Sequence, residues 1–308
     1  MTAPEHAVIV TNLLKRFDSF TAVDGISFSV TRGEVFGFLG PNGAGKSTTI
    51  RMLCGILAPT SGTGSVAGFD VTTQPERIKE HIGYMSQKFS LYQDLTVSQN
   101  IDFYAGVYGV GPARLPERKA WIIQMAGLAG RENSLTRDLA VGWKQRLALG
   151  CAVVHEPQIV FLDEPTAGVD PLSRRNFWNL IEDISSRGVT VFVTTHYMDE
   201  AEHCDRLGLI HAGKLVALGT PTELKQRYMA GTLLEVACNP LMQGLEILRR
   251  HDAAKDVAVF GAALHVVVET PEAQDIIRQA LQNQGIAVTR IQQVLPSLED
   301  VFVSLIGD

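Results

Sequence analysis

The chain has 308 residues, of which 45% are hydrophobic and 19% are charged, and its net charge is −6 at pH 7. This length allows one large domain and a small one, and the acidic balance with dispersed basic residues gives no footprint for nucleic acid. The sequence has no apolar run of about 18 residues and no signal-peptide layout, so we expect no membrane-spanning segment. Its four cysteines are scattered, without a C-x-x-C pair, which predicts buried thiols rather than a metal site or a disulfide framework.

The chain begins with a β-rich part. Residues 7–31 carry alternating runs around a turn at Asp18 and Ser19, and the β-rich pattern continues through residues 62–68. Between these runs, residues 34–39 predict a buried strand and residues 46–54 predict a helix.

A glycine-rich loop joins that strand to that helix. It reads Gly-Pro-Asn-Gly-Ala-Gly-Lys-Ser and matches G-x-x-x-x-G-K-[ST] in the strand–loop–helix context that this motif requires. Glycines let successive N–H groups turn toward phosphate oxygens, and the helix N-terminus favours anions. Lys46 would reach the β- and γ-phosphates, and Ser47 would ligate Mg²⁺. The candidate nucleotide-binding residues here are Gly40, Pro41, Asn42, Gly43, Ala44, Gly45, Lys46, Ser47 and Thr48. A chance glycine-rich turn is the alternative, which the context disfavours.

The pattern turns helical from about residue 88 to 156. Apolar residues recur at helical spacing over 96–109 and 116–128, and a further helix is predicted over 144–154. The aromatic residues between Phe89 and Tyr108 fit either a docking patch or the core of this segment. The sequence does not separate these two interpretations.

An apolar strand, residues 159–162, then ends in two adjacent carboxylates, Asp163 and Glu164. Asp163 suits a direct or indirect partner of Mg²⁺, and Glu164, which points the other way, could polarise an attacking water. Carboxylates at the end of a buried strand would be costly without a cation, although an N-cap pair for the next helix is the alternative. The sequence therefore predicts a site that binds a nucleoside triphosphate with magnesium and hydrolyses it.

The rest of the chain alternates between helices and strands. Helices are predicted over 172–187 and 197–204, and strands over 189–195, 207–210 and 215–218, so the core is α/β. After a polar helix to residue 229, residues 232–308 follow the order βαββαβ, which predicts a compact α+β, ferredoxin-like domain. An amphipathic tail over 295–302 begins with a Ser-x-Glu/Asp helix start.

Taken together, these motifs resemble the nucleotide-binding subunits of ABC transporters over about residues 6–222. The resemblance implies an α/β P-loop NTPase fold of the ABC type, in which residues 88–156 form an inserted helical subdomain that faces a membrane partner. It implies ATP and Mg²⁺ as the bound groups. The domain at 232–308 resembles the C-terminal extension of export-type members.

The same resemblance assigns roles to further residues. Phe17 would stack on adenine, Asp170 in the stretch after Glu164 would cross a dimer interface, and His196 would donate to the γ-phosphate. Gln87 would contact the metal–phosphate site and sense the membrane partner. The implied catalytic residues are Glu164, His196 and Gln87, and the implied metal ligands are Ser47, Gln87 and Asp163.

One motif departs from the family pattern. The signature Leu-Ser-Gly-Gly-Gln corresponds here to Leu139, Ala140, Val141, Gly142 and Trp143. Ala140 lacks the hydroxyl that would bond the γ-phosphate held by the opposite subunit, and Val141 resists positive φ. Losing such a hydrogen bond costs on the order of 1.5–3 kcal/mol, which slows a reaction about ten- to a hundredfold without abolishing it. Two interpretations stay open: a variant signature of an export-type branch, or a site completed by a partner subunit with the usual signature.

The function that the resemblance implies is ATP hydrolysis that powers an exporter. Two such domains, identical or homologous, would sandwich two Mg·ATP molecules and drive separate integral membrane permease subunits. The chain would lie in the cytoplasm, on the cytoplasmic face of the inner (plasma) membrane. A weakly or non-hydrolysing partner subunit is the main alternative. A soluble translation-associated ATPase, with two such domains, and a chromosome-type ATPase, with a long heptad segment, fit less well.

Overall fold

The computed structural model of the protein describes residues 5–87, 90–229 and 231–306. The chain divides into two compact units after Leu218. The second unit begins at Gly219, whereas the predicted accessory domain begins at residue 232. In the described ranges, no helix combines the length and the apolar character needed to cross a membrane.

The first unit contains the strands and helices β1 (His6–Phe17), β2 (Phe20–Thr31), β3 (Val35–Leu39), α1 (Lys46–Leu53), β4 (Ser61–Val66), β5 (Phe69–Asp70), α2 (Pro75–His81), β6 (Ile82–Met85), α3 (Val97–Val107), α4 (Leu115–Met125), α5 (Val141–Ala152), β7 (Ile159–Asp163), α6 (Pro171–Ser186), β8 (Thr190–Thr195), β9 (Arg206–His211) and β10 (Lys214–Gly219). The prediction of a helix over 197–204 is wrong: the structure has a 3₁₀ turn at Glu200–His203 instead.

A six-stranded sheet in the order β10-β9-β3-β8-β7-β6 forms the centre of this unit. Strands β9, β3, β8, β7 and β6 run parallel to their neighbours in that order. Every residue of β3, β7 and β8 is buried, as expected for parallel strands that are covered on both faces. Because these strands are parallel, the segments that follow β3, β6, β7 and β8 emerge at one edge of the sheet.

An antiparallel sheet in the order β2-β1-β4-β5 shares a core with the central sheet. The Phe192 ring of β8 lies at the middle of this core, with its centroid 5.3 Å from that of Phe36 and 5.4 Å from that of Phe161. Phe28, on β2 of the antiparallel sheet, lies 6.1 Å from Phe192 by the same measure. Aromatic packing thus joins the two sheets and holds the strands that carry the motifs.

Helices α3, α4 and α5 form the predicted helical segment. Thr96 caps α3 through a capping box with Gln99. Phe89 lies outside the described residues, but Tyr92 and Phe103 are 48% and 40% exposed and contact each other edge to face. These two rings therefore form part of the surface of the segment rather than its core.

The second unit contains α7 (Pro221–Tyr228), β11 (Thr232–Asn239), α8 (Leu241–Leu248), β12 (Ala254–Phe260), β13 (Ala263–Val268), α9 (Ala273–Gln282), β14 (Ala287–Val294) and α10 (Leu298–Ile306). Its sheet has the order β12-β13-β11-β14, and all neighbours are antiparallel. This is the ferredoxin-like arrangement of a split βαβ pair, which confirms the predicted βαββαβ fold. Ser297 and Asp300 form the predicted helix start of α10.

Two glycines test how tightly the helical segment packs on the central sheet. A Cβ on Gly83 of β6 would lie 2.2 Å from the carbonyl oxygen of Ala152, at the end of α5, whereas a Cβ on Gly106 of α3 would meet nothing within 4 Å. Gly83→Ala must therefore shift backbone, and we expect it to lower the free energy of unfolding by about 1–3 kcal/mol. Gly106→Ala should raise it by about 0.5–1 kcal/mol, because alanine favours a helix. Urea unfolding of both variants measures the difference, and equal effects would contradict this packing.

Candidate functional site

The glycine-rich loop lies at the carboxyl end of β3 and opens into α1. Gly45, the N-cap of α1, has φ of 109°, and a Cβ there would lie 2.4 Å from the carbonyl oxygen of Ala22. Gly40 is equally confined, because its Cβ would lie 2.2 Å from the carbonyl oxygen of Ile210. Only glycine fits these two positions, because the loop passes there directly against the backbone of Ala22 and Ile210.

Lys46 lies buried under this loop, with 4% of its side chain exposed. Its Nζ donates to the carbonyl oxygens of Gly40 and Pro41, at 2.7 and 3.1 Å, and lies 3.1 Å from Oε1 of Glu164. The lysine is thus held at the floor of the loop, close to the carboxylate predicted to act on water.

Glu164 is the meeting point of the predicted catalytic residues. Gln87 donates from Nε2 to Glu164 Oε2 at 3.1 Å, and Nδ1 of His196 lies 3.2 Å from the same oxygen. Glu164 itself has φ of 47°, the left-handed region that non-glycine residues rarely adopt. The structure therefore brings together the side chains of Lys46, Glu164, Gln87 and His196, which follow four different strands.

Asp163 lies one residue earlier, at the end of β7, and is 3% exposed. Its Oδ1 accepts the hydroxyl of Ser47 at 3.0 Å and that of Thr194 at 2.7 Å. Burial raises the pKa of Asp163, against the opposing effect of these two hydrogen bonds. A carboxylate beside a serine hydroxyl is a set of hard oxygen donors that suits Mg²⁺. The alternative of an N-cap pair fails, because Asp170 caps α6 instead.

A cavity of about 340 Å³ lies between the glycine-rich loop and the side chains of Gln87 and Glu164. Its lining comprises Phe20, Ala22, Asn42, Gly43, Gly45, Lys46, Ser47, Thr48, Gln87 and Glu164. Phe17, the residue expected at adenine, is not part of this lining. It pairs with Phe20 across the β1–β2 hairpin, and the Lys15 ammonium lies 5.0 Å from its ring centroid. Phe20, 60% exposed, is the aromatic residue at the cavity, and its place three residues after Phe17 was the available sequence signal.

The signature residues line a different cavity, of about 530 Å³. Its lining comprises Ala140, Val141, Gly142, Trp143, Arg146, Gly168, Val169, Asp170 and Ser173. Ala140 is the N-cap of α5 and makes no side-chain cap, while Leu139 is buried beneath it. The Trp143 ring is covered by the guanidinium of Arg131, 3.7 Å from its centroid. Asp170 lies in the same cavity, and hydrogen bonds from Ser173 lower the pKa of its carboxyl.

The raised pKa of Asp163 predicts an effect on stability. Asp163 binds its carboxyl proton more strongly in the folded chain than in the unfolded chain. At pH values above the folded pKa, the ionised carboxylate therefore lowers the free energy of unfolding. Asp163→Asn keeps an oxygen that can accept both hydroxyls and removes the buried charge. We expect a rise in Tm of roughly 2–4 °C at pH 7 without nucleotide or metal, the shift that about 1 kcal/mol gives in a domain of this size.

The pH dependence and a control sharpen this test. The gain in Tm should shrink as the pH is lowered, because Asp163 of the parent chain then becomes neutral as well. The control is Asp183→Asn. It removes an exposed carboxylate of α6 that pairs with Arg187, and it should change Tm little. An Asp163→Asn chain that melts at or below the parent temperature at pH 7 would contradict the destabilising charge.

Comparisons with known proteins agree with this geometry. Residues 23–167 match the family model described as ABC transporter, and residues 219–306 match that described as ATP-binding protein DrrA1-3-like, C-terminal domain. The chain is 49% identical over 255 residues to the probable multidrug ABC transporter ATP-binding protein YbhF of Escherichia coli, covering 83% of this chain and 43% of YbhF. It therefore spans less than half the length of that relative.

A second relative is matched over nearly its whole length. The chain is 34% identical over 301 residues to the linearmycin resistance ATP-binding protein LnrL of Bacillus subtilis, covering 96% of this chain and 97% of LnrL. Among solved structures, it is similar to cbiO1 from Clostridium perfringens, part of the ABC transporter complex cbiONQ, with a TM-score of 0.67 and 28% identity over 72% of this chain and 91% of cbiO1. The chain belongs to the family of ABC transporter ATP-binding proteins.

Proposed function

We propose that this chain binds and hydrolyses ATP with Mg²⁺ and thereby powers an ABC-type exporter. The observation that carries the proposal is the convergence of Lys46, Gln87 and His196 on the Glu164 carboxylate, each within 3.2 Å, at the floor of the glycine-rich loop. A carboxylate placed among a lysine, a glutamine and a histidine is suited to orient and polarise a water for attack on a phosphoryl group.

The residues around the loop divide the work. The loop amides and Lys46 hold the β- and γ-phosphates, and Ser47 with Asp163 holds the metal. Bound Mg²⁺ supplies charge neutralisation to the phosphate oxygens. Glu164 orients the water, while His196, with 29% of its side chain exposed, donates to the terminal phosphate in this proposal. Gln87 follows β6, next to the helical segment, and is placed to report on the metal–phosphate site.

We further propose that the working unit is a dimer of two such domains. The cavity at the glycine-rich loop and the cavity at the signature share no lining residue, so each domain presents two separate half-sites. Pairing the loop of one domain with residues 139–143 and Asp170 of the other would complete two ATP sites. In this pairing the N-terminus of α5 offers amide donors to the partner's nucleotide where Ala140 lacks a hydroxyl.

The partners and location follow from the same proposal. LnrL is named a resistance protein and YbhF a probable multidrug transporter protein, which supports export over import. Separate membrane permease subunits would carry the cargo, and the exposed rings of Tyr92 and Phe103 are available for docking. The chain would then sit at the cytoplasmic face of the inner membrane. Closure on ATP and opening after hydrolysis would drive the permease.

The competing proposal is a partner subunit that binds ATP and hydrolyses it weakly. Ala140, the N-cap of α5 without a capping side chain, is the observation that favours it. On the loop side, however, each predicted catalytic side chain contacts Glu164, which favours hydrolysis. The proposals differ in one measurable quantity, the turnover of the purified chain.

The first test is Mg²⁺-dependent release of phosphate from ATP by the purified chain. We expect turnover in the parent chain and a loss of at least about a hundredfold in Glu164→Gln and in Lys46→Ala. Glu164→Gln should keep ATP binding, whereas Lys46→Ala should weaken it, because of these two residues the lysine is the one proposed to contact phosphate. Asp183→Asn is the matched control, because Asp183 lines neither cavity. Binding without turnover in the parent chain would favour the competing proposal.

A second test concerns the adenine platform. Phe20 lines the loop cavity and Phe17 does not, so we expect Phe20→Ala to weaken ATP binding by about five- to a hundredfold, the effect of losing about 1–3 kcal/mol of stacking. Phe17→Ala is the matched variant on the same hairpin and should change the Kd less than twofold. Fluorescence titration with a labelled ATP analogue measures both. A larger increase in Kd in Phe17→Ala than in Phe20→Ala would assign the adenine contact to Phe17.

A further inference from the structure

A second buried carboxylate lies behind the site and belongs to none of the motifs. Glu200, in the 3₁₀ turn after β8, is 1% exposed. Each of its oxygens accepts a hydroxyl: Thr166 donates to Oε1, and Thr195 donates to Oε2 at 2.6 Å. Arg174 Nε lies 3.4 Å from Oε1. A buried carboxylate needs hydrogen-bond partners, and these contacts supply them to both oxygens of Glu200.

Thr195 connects Glu200 to the segment of His196. It is the last residue of β8, and its hydroxyl accepts the backbone N–H of Tyr197 at 3.0 Å while donating to Glu200. The two bonds bracket His196, because one holds the residue before it and the other holds the residue after it. A threonine hydroxyl that bonds a backbone amide two residues on defines a local turn, which here aims the imidazole.

Thr166 connects the same carboxylate to the segment of Glu164. It lies two residues after Glu164, and its carbonyl oxygen accepts the N–H of Val169 at 3.2 Å. Glu164 keeps its unfavourable positive φ only if the surrounding chain holds it there. The bond from Thr166 to Glu200 ties the chain directly after this strained residue to the turn that follows His196.

We infer that Glu200 is a positioning residue for hydrolysis, one that sets the separation of Glu164 and His196 by holding both of their segments. This inference rests on the proposed ATPase function. Glu200 does not line the loop cavity, so it acts on the nucleotide only indirectly. It acts through Glu164 and His196, whose Oε2 and Nδ1 atoms lie 3.2 Å apart. Misplacing a catalytic group by about 1 Å can cost up to about a hundredfold in rate, so a loosened anchor should lower kcat.

The test compares isosteric changes in the intact chain. Glu200→Gln and Thr195→Val each remove part of the anchor, and we expect kcat for ATP to fall about ten- to a hundredfold with KM changed less than about twofold. Thr195→Ser restores the hydroxyl and should restore kcat. Asp199→Asn is the matched control, because Asp199 also contacts Arg174, at 3.3 Å, but bonds neither threonine. Its kcat should stay within about twofold of the parent value.

A double-variant measurement separates positioning from a general structural role. Because Glu200 is inferred to act through Glu164 and His196 together, Glu200→Gln should lower kcat by a smaller factor in a His196→Ala chain than in the parent chain. Full additivity, an unchanged kcat in Glu200→Gln, or equal losses in Asp199→Asn would each overturn the inference. The inference would also be overturned if Thr195→Ser lost as much kcat as Thr195→Val, because the hydroxyl would then not be what positions His196.

The parent chain and Glu164→Gln are assayed in the same series. Parent turnover that Glu164→Gln abolishes supports the ATPase function, and an unaffected Glu200→Gln then overturns only the positioning role. Absence of parent turnover overturns the function and this inference with it.

Discussion

The site depends on the carboxylate of Glu164 being held among side chains that come from four separate connections of the parallel sheet. Lys46 follows β3, Gln87 follows β6, Glu164 follows β7 and His196 follows β8. These residues are far apart in sequence and meet because parallel strands deliver their carboxyl ends to one edge. The buried ion pair of Lys46 and Glu164 removes two charges from water, which is favourable only with near-ideal contacts. Lys46 also donates to the carbonyl oxygens of Gly40 and Pro41, and Glu164 accepts from Gln87, which supplies those contacts.

The two buried acidic residues beside this centre have different hydrogen-bond partners. Asp163 accepts two hydroxyls, and burial raises its pKa, so its ionised form is unfavourable in the fold and a bound cation would stabilise it. Glu200 is held by two hydroxyls and a nearby guanidinium, which gives its charge a structural partner. A carboxylate kept at a cost is expected where function needs it, whereas a fully paired one is expected where geometry needs it.

The signature region shows how a motif can change while its scaffold stays. Ala140 still begins α5, Gly142 still fits against the Ser173 side chain, and Asp170 still caps α6 in the same cavity. A Cβ on Gly142 would lie 2.9 Å from Ser173 Oγ, so a larger residue there would have to displace the Ser173 side chain. Trp143 takes the place of the usual glutamine. Its ring is covered by the Arg131 guanidinium, so an aromatic ring with a cation over it replaces an amide at the start of α5.

Those parts of the protein that depend on local chemistry can be predicted from the residues alone. The loop from Gly40 to Ser47 and the strand ending in Asp163 are readable, because glycine conformation, helix dipoles and buried strands impose residue types at fixed spacing. The order βαββαβ is readable for the same reason. Three features became visible only in the packed chain: Phe20 rather than Phe17 lines the cavity, a 3₁₀ turn replaces a helix at Glu200, and Glu200 bonds Thr166 and Thr195. Such contacts join residues that no local pattern relates, because burial and side-chain direction are set by the packed strands and not by spacing along the chain.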